Sequence, residues 1–137
     1  MFTEREVAFL KSQPLARLAT VAPDGQPDAA PVGFEFDGQV FYVGGHSPTH
    51  TRKYKNVQAG HTQVALVVDD LVSVDPWRPR GIRIYGTAEL VERAGQFGPG
   101  IYMRITPSVS WSWSIEKPAF TEGGFDVNKI VHSTSDP

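Results

Sequence analysis

Val43-Gly44-Gly45-His46-Ser47-Pro48-Thr49-His50-Thr51-Arg52-Lys53-Tyr54-Lys55-Asn56 is the stretch around which the chain is organised. The apolar run Val40 to Val43 reads as a strand and feeds two glycines. A polar loop follows, and then a short helix opens with three cations in four positions, Arg52, Lys53 and Lys55. That order is locally unfavourable. A helix N-terminus exposes backbone N–H groups and carries partial positive charge, which attracts anions and repels cations. The three cations are accounted for if an anion sits among them. Glycines let a backbone approach a ligand closely, and helix N-termini bind phosphate. The plainer alternative, a solvated basic helix end, stays open at this level.

Outward from this stretch the pattern is one of short strands. On the N-terminal side, Thr3-Glu4-Arg5-Glu6 reads as a capping box, with Phe2 and Val7 placed to staple the helix entry. That helix must stop near Pro14. Leu15 to Val21 alternates as a strand, with Ala16, Leu18 and Thr20 on one face. Pro23-Asp24-Gly25-Gln26 is a turn. Pro27 to Phe36 is a second strand, and its Pro31 and Gly33 point to an edge or bulge and to a close backbone approach. Asp37-Gly38 is a hairpin signal that pairs Gly33–Phe36 with Gln39–Val43.

On the C-terminal side the cationic helix runs from about Thr51 to Ala59, with Gly60 as its stop. Thr62 to Val68 reads as a buried strand ending in a turn at Asp69-Asp70, and Leu71 to Asp75 as a further short strand. Pro76-Trp77-Arg78-Pro79-Arg80-Gly81 reads as a rigid loop, since two prolines fix φ. Gly81 to Glu92 is the clearest strand, with Ile82, Ile84, Gly86, Ala88 and Leu90 on one face. Gly95 to Gly100 reads as a loop. Ile101 to Ile105 and Val109 to Ile115 form either a strand pair or one strand bent at Pro107. Beyond Lys117 the pattern fades, so the expected organisation is a domain over 1–116 and a loosely held tail over 117–137. About six strands with frequent turns and two short helices imply an all-β fold, a small antiparallel barrel.

Composition bounds the function. The chain has 137 residues, one domain with room for a real core, and a formal net charge of −2. Near-neutral charge argues against general nucleic-acid binding, which rests on a basic face. There is no cysteine, which removes disulfides, thiolate metal sites and a cysteine nucleophile. No apolar run has signal-peptide or membrane-spanning length, so the expectation is a cytoplasmic protein without a membrane partner. Common dinucleotide, phosphate-loop and hydrolase motifs are absent. His46 and His50 are separated by Pro48 and cannot share a helix face, so no metal site is expected. His61 and His132 read as isolated surface residues. Trp77, Arg78 and Arg80 suit either core cover or the stacking and bidentate capture of a planar anion. Trp111 and Trp113 share a strand face, and line either a pocket or a subunit interface.

Taken in order, several motifs resemble the pyridoxamine 5′-phosphate oxidase-like superfamily, the FMN-binding split β-barrels, and within it the actinobacterial class that depends on the deazaflavin F420. The motifs are Arg17-Leu18-Ala19-Thr20-Val21 with its Asp24-Gly25 turn, Pro31-Val32-Gly33-Phe34, Gly44-Gly45-His46, Thr51-Arg52-Lys53 with Asn56, and Val74-Asp75-Pro76-Trp77-Arg78-Pro79-Arg80-Gly81-Ile82. They span about Phe2 to Trp113. The resemblance implies a homodimer with cofactor at the subunit interface, its phosphate on Thr51, Arg52 and Lys53, and its ring near the backbone of Pro31, Val32 and Gly33. Gly44, Gly45, His46 and Asn56 complete that expected set, and Trp77, Arg78, Pro79 and Arg80 are expected at the cofactor or the partner subunit. The true oxidases carry an Arg and a Lys on the second strand where this chain has Ala30 and Glu35. Each lost charge-assisted contact costs about 1.5–3 kcal/mol, enough together to weaken FMN by several tenfold steps. The loop from Val43 to Thr51 is also longer than in the oxidases. The resemblance therefore implies an F420-dependent oxidoreductase that transfers a hydride between cofactor and a small organic substrate, such as an enone or quinone-like ring. Its alternatives are an FMN-dependent enzyme of the same fold and a non-catalytic binder of F420 or a haem-related tetrapyrrole.

Overall fold

The computed structural model describes residues 1–44, 48–121 and 124–132. Helix α1 (Glu4–Ser12) begins with the expected capping box: the Glu6 N–H donates to the Thr3 hydroxyl, and the Thr3 N–H donates to the Glu6 carboxylate, both at 3.1 Å. The chain then turns extended at Gln13, ahead of Pro14. Strands β1 (Leu15–Val21), β2 (Pro27–Phe36) and β3 (Phe41–Val43) follow, with β2 and β3 joined at Asp37-Gly38. There the Asp37 carboxylate accepts from the N–H groups of Gln39 and Val40, each at 2.9 Å, and Gly38 takes the positive φ that the turn needs. A 3-10 turn (Pro48–His50) leads into α2 (Arg52–Gln58), and Gly60 at φ +102° stops it.

The remaining barrel strands are longer than the punctuation suggests. β4 is one strand from Gln63 to Ser73, β5 runs Arg78–Gly95, and β6 runs Gly98–Trp113. Asp69 and Asp70 therefore lie within β4, not in a turn. Arg78 to Gly81 belong to β5, which corrects the expectation of a loop. Pro79 stands opposite Leu71, beside a register shift and beyond Gly81, where pairing with β6 begins. A strand tolerates proline where one side is unpaired. Pro31 obeys the same rule, because β2 pairs with β3 only over Phe34–Phe36. The expected loop at Gly95–Gly100 is a tight hairpin around Gln96 and Phe97. Of the two readings around Pro107, the single bent strand is the observed one, with Ser108 as the extra residue between two registers.

All pairings are antiparallel. The order β3-β2-β1-β4-β5-β6 closes on itself because the first half of β6 pairs with β3 (Phe41 opposite Ile105). The result is a six-stranded barrel without an open edge at that seam. Its interior holds Leu18, Phe41, Leu66, Val68, Ile82, Ile84 and Ile105, all essentially inaccessible, with Phe9 and Leu10 of α1 and Val57 of α2 packed on them.

The stretch beyond Lys117 adds more than a loose tail. Two-residue strands β7 (Phe120–Thr121) and β8 (Gly124–Phe125) pair with each other, and β9 (Asn128–Val131) pairs with the second half of β6. Residues 122–123 and 133–137 lie outside the described residues, as do Gly45, His46 and Ser47. No helix among the described residues is long and apolar enough to cross a membrane.

Candidate functional site

The expected phosphate residues meet in space. Gly44 at the end of β3, and Thr51 and Lys53 at the start of α2, line one small cavity floored by Ile101 and Met103 of β6. No carboxylate lies within ion-pair distance of Arg52, Lys53 or Lys55 among the described residues. Lys53 is half-buried, while Arg52 and Lys55 are exposed. The Thr51 side chain makes no cap bond to the helix backbone. With seven residues, α2 has a weak dipole, so the three side-chain charges dominate the local field. Asn56 turns the other way. It is buried, and its amide donates to Thr20 Oγ1 at 2.9 Å, pinning α2 to β1.

Tyr102 shapes the site although its sequence context gives no hint of it. The buried ring lies between Gly44 and Gly95: a Cβ on either glycine would come within 2.7 Å or less of a Tyr102 ring carbon. Its hydroxyl accepts from the Phe97 N–H at 3.0 Å and donates to the Gly98 carbonyl at 2.7 Å, fixing the tip of the β5–β6 hairpin. Phe97 at that tip lines an adjoining cavity of about 180 Å³ with Thr49 and Ile101. The same ring stands over Gly33, 3.2 Å from where a Cβ would be. The backbone of Pro31 to Gly33 and the lysine cavity are thus neighbours through Phe97. Val32 itself points into the core.

Glu35 has partners that alter its expected effect. Its carboxylate accepts from the Gln96 N–H at 3.0 Å and pairs with Arg93 at 3.4 Å, and the Arg93 guanidinium lies 3.8 Å from the Tyr42 ring centre. A lone carboxylate here would repel a phosphate, and Arg93 offsets that charge within the chain.

Trp77, Arg78, Pro79 and Arg80 are not beside the lysine cavity in the same chain. They lie at the start of β5, whereas the cavity adjoins the start of β6, so the two groups occupy opposite ends of the β5–β6 hairpin. Arg80 is committed to Asp70 by two bonds of 2.7 and 2.9 Å, and lies 5.0 Å from the Phe9 ring centre. That guanidinium holds the Asp70 carboxyl below its ordinary range, first through the hydrogen bond. Trp77 is 60% exposed.

A polar cluster escaped the sequence reading. The buried Glu6 carboxylate accepts from the Ser112 hydroxyl at 2.5 Å and the Asn128 amide at 3.2 Å, tying α1, β6 and β9 together. Beside it His132 is half-buried rather than a surface residue: Nε2 is 2.8 Å from Ser110 Oγ, and its ring centre is 4.4 Å from that of Phe2. The only prior signal was Glu6 as a capping-box residue. Among the described residues, no three His, Asp or Glu side chains converge as a metal cluster.

A closed six-stranded antiparallel barrel with two short helices, and a cationic cavity beside the β3–β6 seam, define a split-barrel protein. A family model described as pyridoxamine 5′-phosphate oxidase matches residues 2–117. The chain belongs to that family, whose name is that of an oxidoreductase. It is 36% identical over 121 residues to the 5a,11a-dehydrotetracycline/5a,11a-dehydrooxytetracycline reductase of Streptomyces rimosus, covering 84% of each chain. Among solved structures it is similar to an F420 reductase (TM-score 0.61, 23% identity, covering 80% of this chain and 98% of that one). It is also similar to a pyridoxamine 5′-phosphate oxidase homologue from Lactobacillus delbrueckii (TM-score 0.61, 25% identity, covering 80% and 92%).

Proposed function

We propose that this chain is an F420-dependent reductase acting on a small organic acceptor such as an enone or quinone-like ring. The observation that carries the reading is the convergence of Gly44, Thr51 and Lys53 on one cavity where, among the described residues, no carboxylate neutralises the lysine. The relative named as a reductase and the fold likeness to an F420 reductase support it. In this reading Lys53 and Arg52 hold the phosphate by charge-assisted bonds, Thr51 adds its hydroxyl, and Gly44 runs alongside. When bound, the deazaflavin supplies the hydride chemistry. Phe97 and Tyr102 line the adjoining cavity, with Phe97 over Gly33, and Asn56 keeps α2 seated on β1. The chain works as a homodimer, with the outer face of β1, β4, β5 and β6 against its partner.

The test is a fluorescence titration of the purified protein with F420 and, separately, with FMN. Micromolar or tighter F420 binding with weaker FMN is expected. Lys53→Ala is expected to weaken F420 at least tenfold with an unchanged melting temperature; unchanged affinity overturns the phosphate placement. A second reading, FMN as the cofactor, is favoured by one observation. Glu35 is neutralised by Arg93, which removes part of the argument against a flavin phosphate. Tighter FMN than F420 in the same titration selects it. F420 binding without turnover across enones and quinones selects a carrier or sensor.

A further inference from the structure

Tyr102 stands on β6 between Ile101, which lines both the lysine cavity and the adjoining one, and Met103, which floors the first. Side chains alternate across a strand. Met103 belongs to the barrel core, so Tyr102 lies on the other side of β6, yet it is only 3% exposed. It is covered by the tip of the β5–β6 hairpin and by the end of β3. Its ring is the spacer between those two: Cβ atoms on Gly44 and Gly95 would stand 2.4 and 2.7 Å from ring carbons.

The hydroxyl bonds to backbone at the hairpin tip, accepting from the Phe97 N–H at 3.0 Å and donating to the Gly98 carbonyl at 2.7 Å. Those bonds clamp the turn, in which Gly95 pairs with Gly98 and Gly98 holds a φ of +86°. A further bond of 3.0 Å, from the Gln96 N–H to Glu35, ties the same turn to β2. The phenol is therefore fixed at its outer end, and its ring cannot rock. Gly44 has no side chain with which to anchor itself, so its backbone rests on that ring. Hydrogen bonds to an anion are directional, and an anion is held best by donors that keep one arrangement. We propose that Tyr102 is a positioning residue for the anion seat: its ring braces Gly44, its hydroxyl locks the brace to the hairpin tip, and the cofactor phosphate then meets Gly44, Thr51 and Lys53 in a fixed geometry. Tyr102 is not itself a wall of the lysine cavity and acts through Gly44. The role rests on the cofactor phosphate lying at Lys53.

The test is a fluorescence titration with F420, or with FMN if the wild type prefers it, of the full chain as wild type, Tyr102→Phe, Lys53→Ala and the double variant. It is run at a temperature where circular dichroism shows every chain folded. Tyr102→Phe keeps the ring against Gly44 and Gly95 and removes only the hydroxyl. It is expected to weaken the cofactor about tenfold, the worth of one or two neutral hydrogen bonds, and to speed amide exchange at Phe97 by about tenfold or more. In the Lys53→Ala chain the same change is expected to cost less than about twofold, because the seat that it steadies no longer holds the phosphate. A tyrosine that served stability alone would cost the same in both backgrounds. Equal losses with and without Lys53, or unchanged affinity in Tyr102→Phe while Lys53→Ala is weakened, would overturn the role and leave the phosphate placement standing. Unchanged affinity in Lys53→Ala, or a wild type that binds neither cofactor, would overturn both.

Discussion

Tyr102 and Gly44 show how much of the lysine cavity rests on single atoms. Gly44 has no unusual φ; its constraint is steric, since a Cβ would stand 2.4 Å from the Tyr102 ring. The ring cannot swing aside cheaply, because its hydroxyl is bonded on both sides to the hairpin tip. Overpacking of this kind costs about 1–3 kcal/mol. Gly44→Ala is therefore expected to lower the urea midpoint by the equivalent of that loss. It should also weaken cofactor binding, because the displaced ring lines the adjoining cavity. Unchanged stability would mean that the Tyr102 ring has room to move. Glu35 carries a related lesson at the same scale. Read alone, it is a repulsive charge near a phosphate; beside Arg93 and the Gln96 N–H it is a strut for the β5–β6 hairpin.

At the scale of elements, β9 is the addition that depends on one buried polar contact set. Ser112 and Asn128 meet on the Glu6 carboxylate, and His132 closes the end of the strand against Ser110 and Phe2. Burial lowers the His132 pKa from its ordinary value of 6.5; the N-terminal amine also lowers it, and Glu6 opposes both. A histidine whose folded pKa is depressed binds its proton more readily when unfolded. Its contribution to stability is complete above about pH 6.5 and is lost as pH falls below that value. The urea midpoint of the wild type is expected to drop between pH 7.5 and 5.5 by more than that of His132→Phe, which keeps a ring against Phe2 but cannot titrate. Parallel curves would remove His132 from the acid response. The Asp70–Arg80 pair runs with the opposite chemistry. Its carboxyl is depressed, so its contribution persists above the ordinary 3.8 and fades only below it.

At the scale of the whole molecule, the outer barrel face carries the homodimer reading. Ala19, Ala65, Tyr85 and Val109 stand side by side across β1, β4, β5 and β6, and the next row is Arg17, Val67, Arg83 and Trp111. Tyr85 packs edge-on to Trp111 at 4.9 Å, and the Arg83 guanidinium lies 4.4 Å from the Trp111 ring centre. Ala19 and Ala65, small side chains in the middle of a half-apolar sheet face, let another sheet approach closely. A stable interface needs about 800 Å² from each partner, which a face of four long strands can supply. Light scattering is expected to give the dimer mass for the wild type and the monomer mass for Ala65→Arg, with β-sheet circular dichroism retained in both. A monomeric wild type at high micromolar concentration would end the homodimer reading.

Local chemistry made several elements legible in the sequence alone: the capping box of α1, the limits of β1 and β2, the Asp37-Gly38 hairpin, and α2 with its Gly60 stop. Each is set by residues within a few positions of one another, through caps, fixed φ angles and alternation. The grouping of Gly44, Thr51 and Lys53 was legible as well, since a few residues of loop keep them close. Only the tertiary structure decided the rest. Pro79 read as part of a loop, and Pro107 left a strand pair and a bent strand both open, until neighbouring strands showed an unpaired side and a bulge that absorb them. The closure of β3 on β6, the docking of β9, and the distant partners of Glu6, Glu35 and His132 join residues from 16 to 130 positions apart. Long-range register also divided the expected site, placing Trp77 to Arg80 at one end of the β5–β6 hairpin and Lys53 at the other. Propensity and spacing act over a turn or two of chain, whereas strand register is chosen by which side chains a closed barrel can bury together.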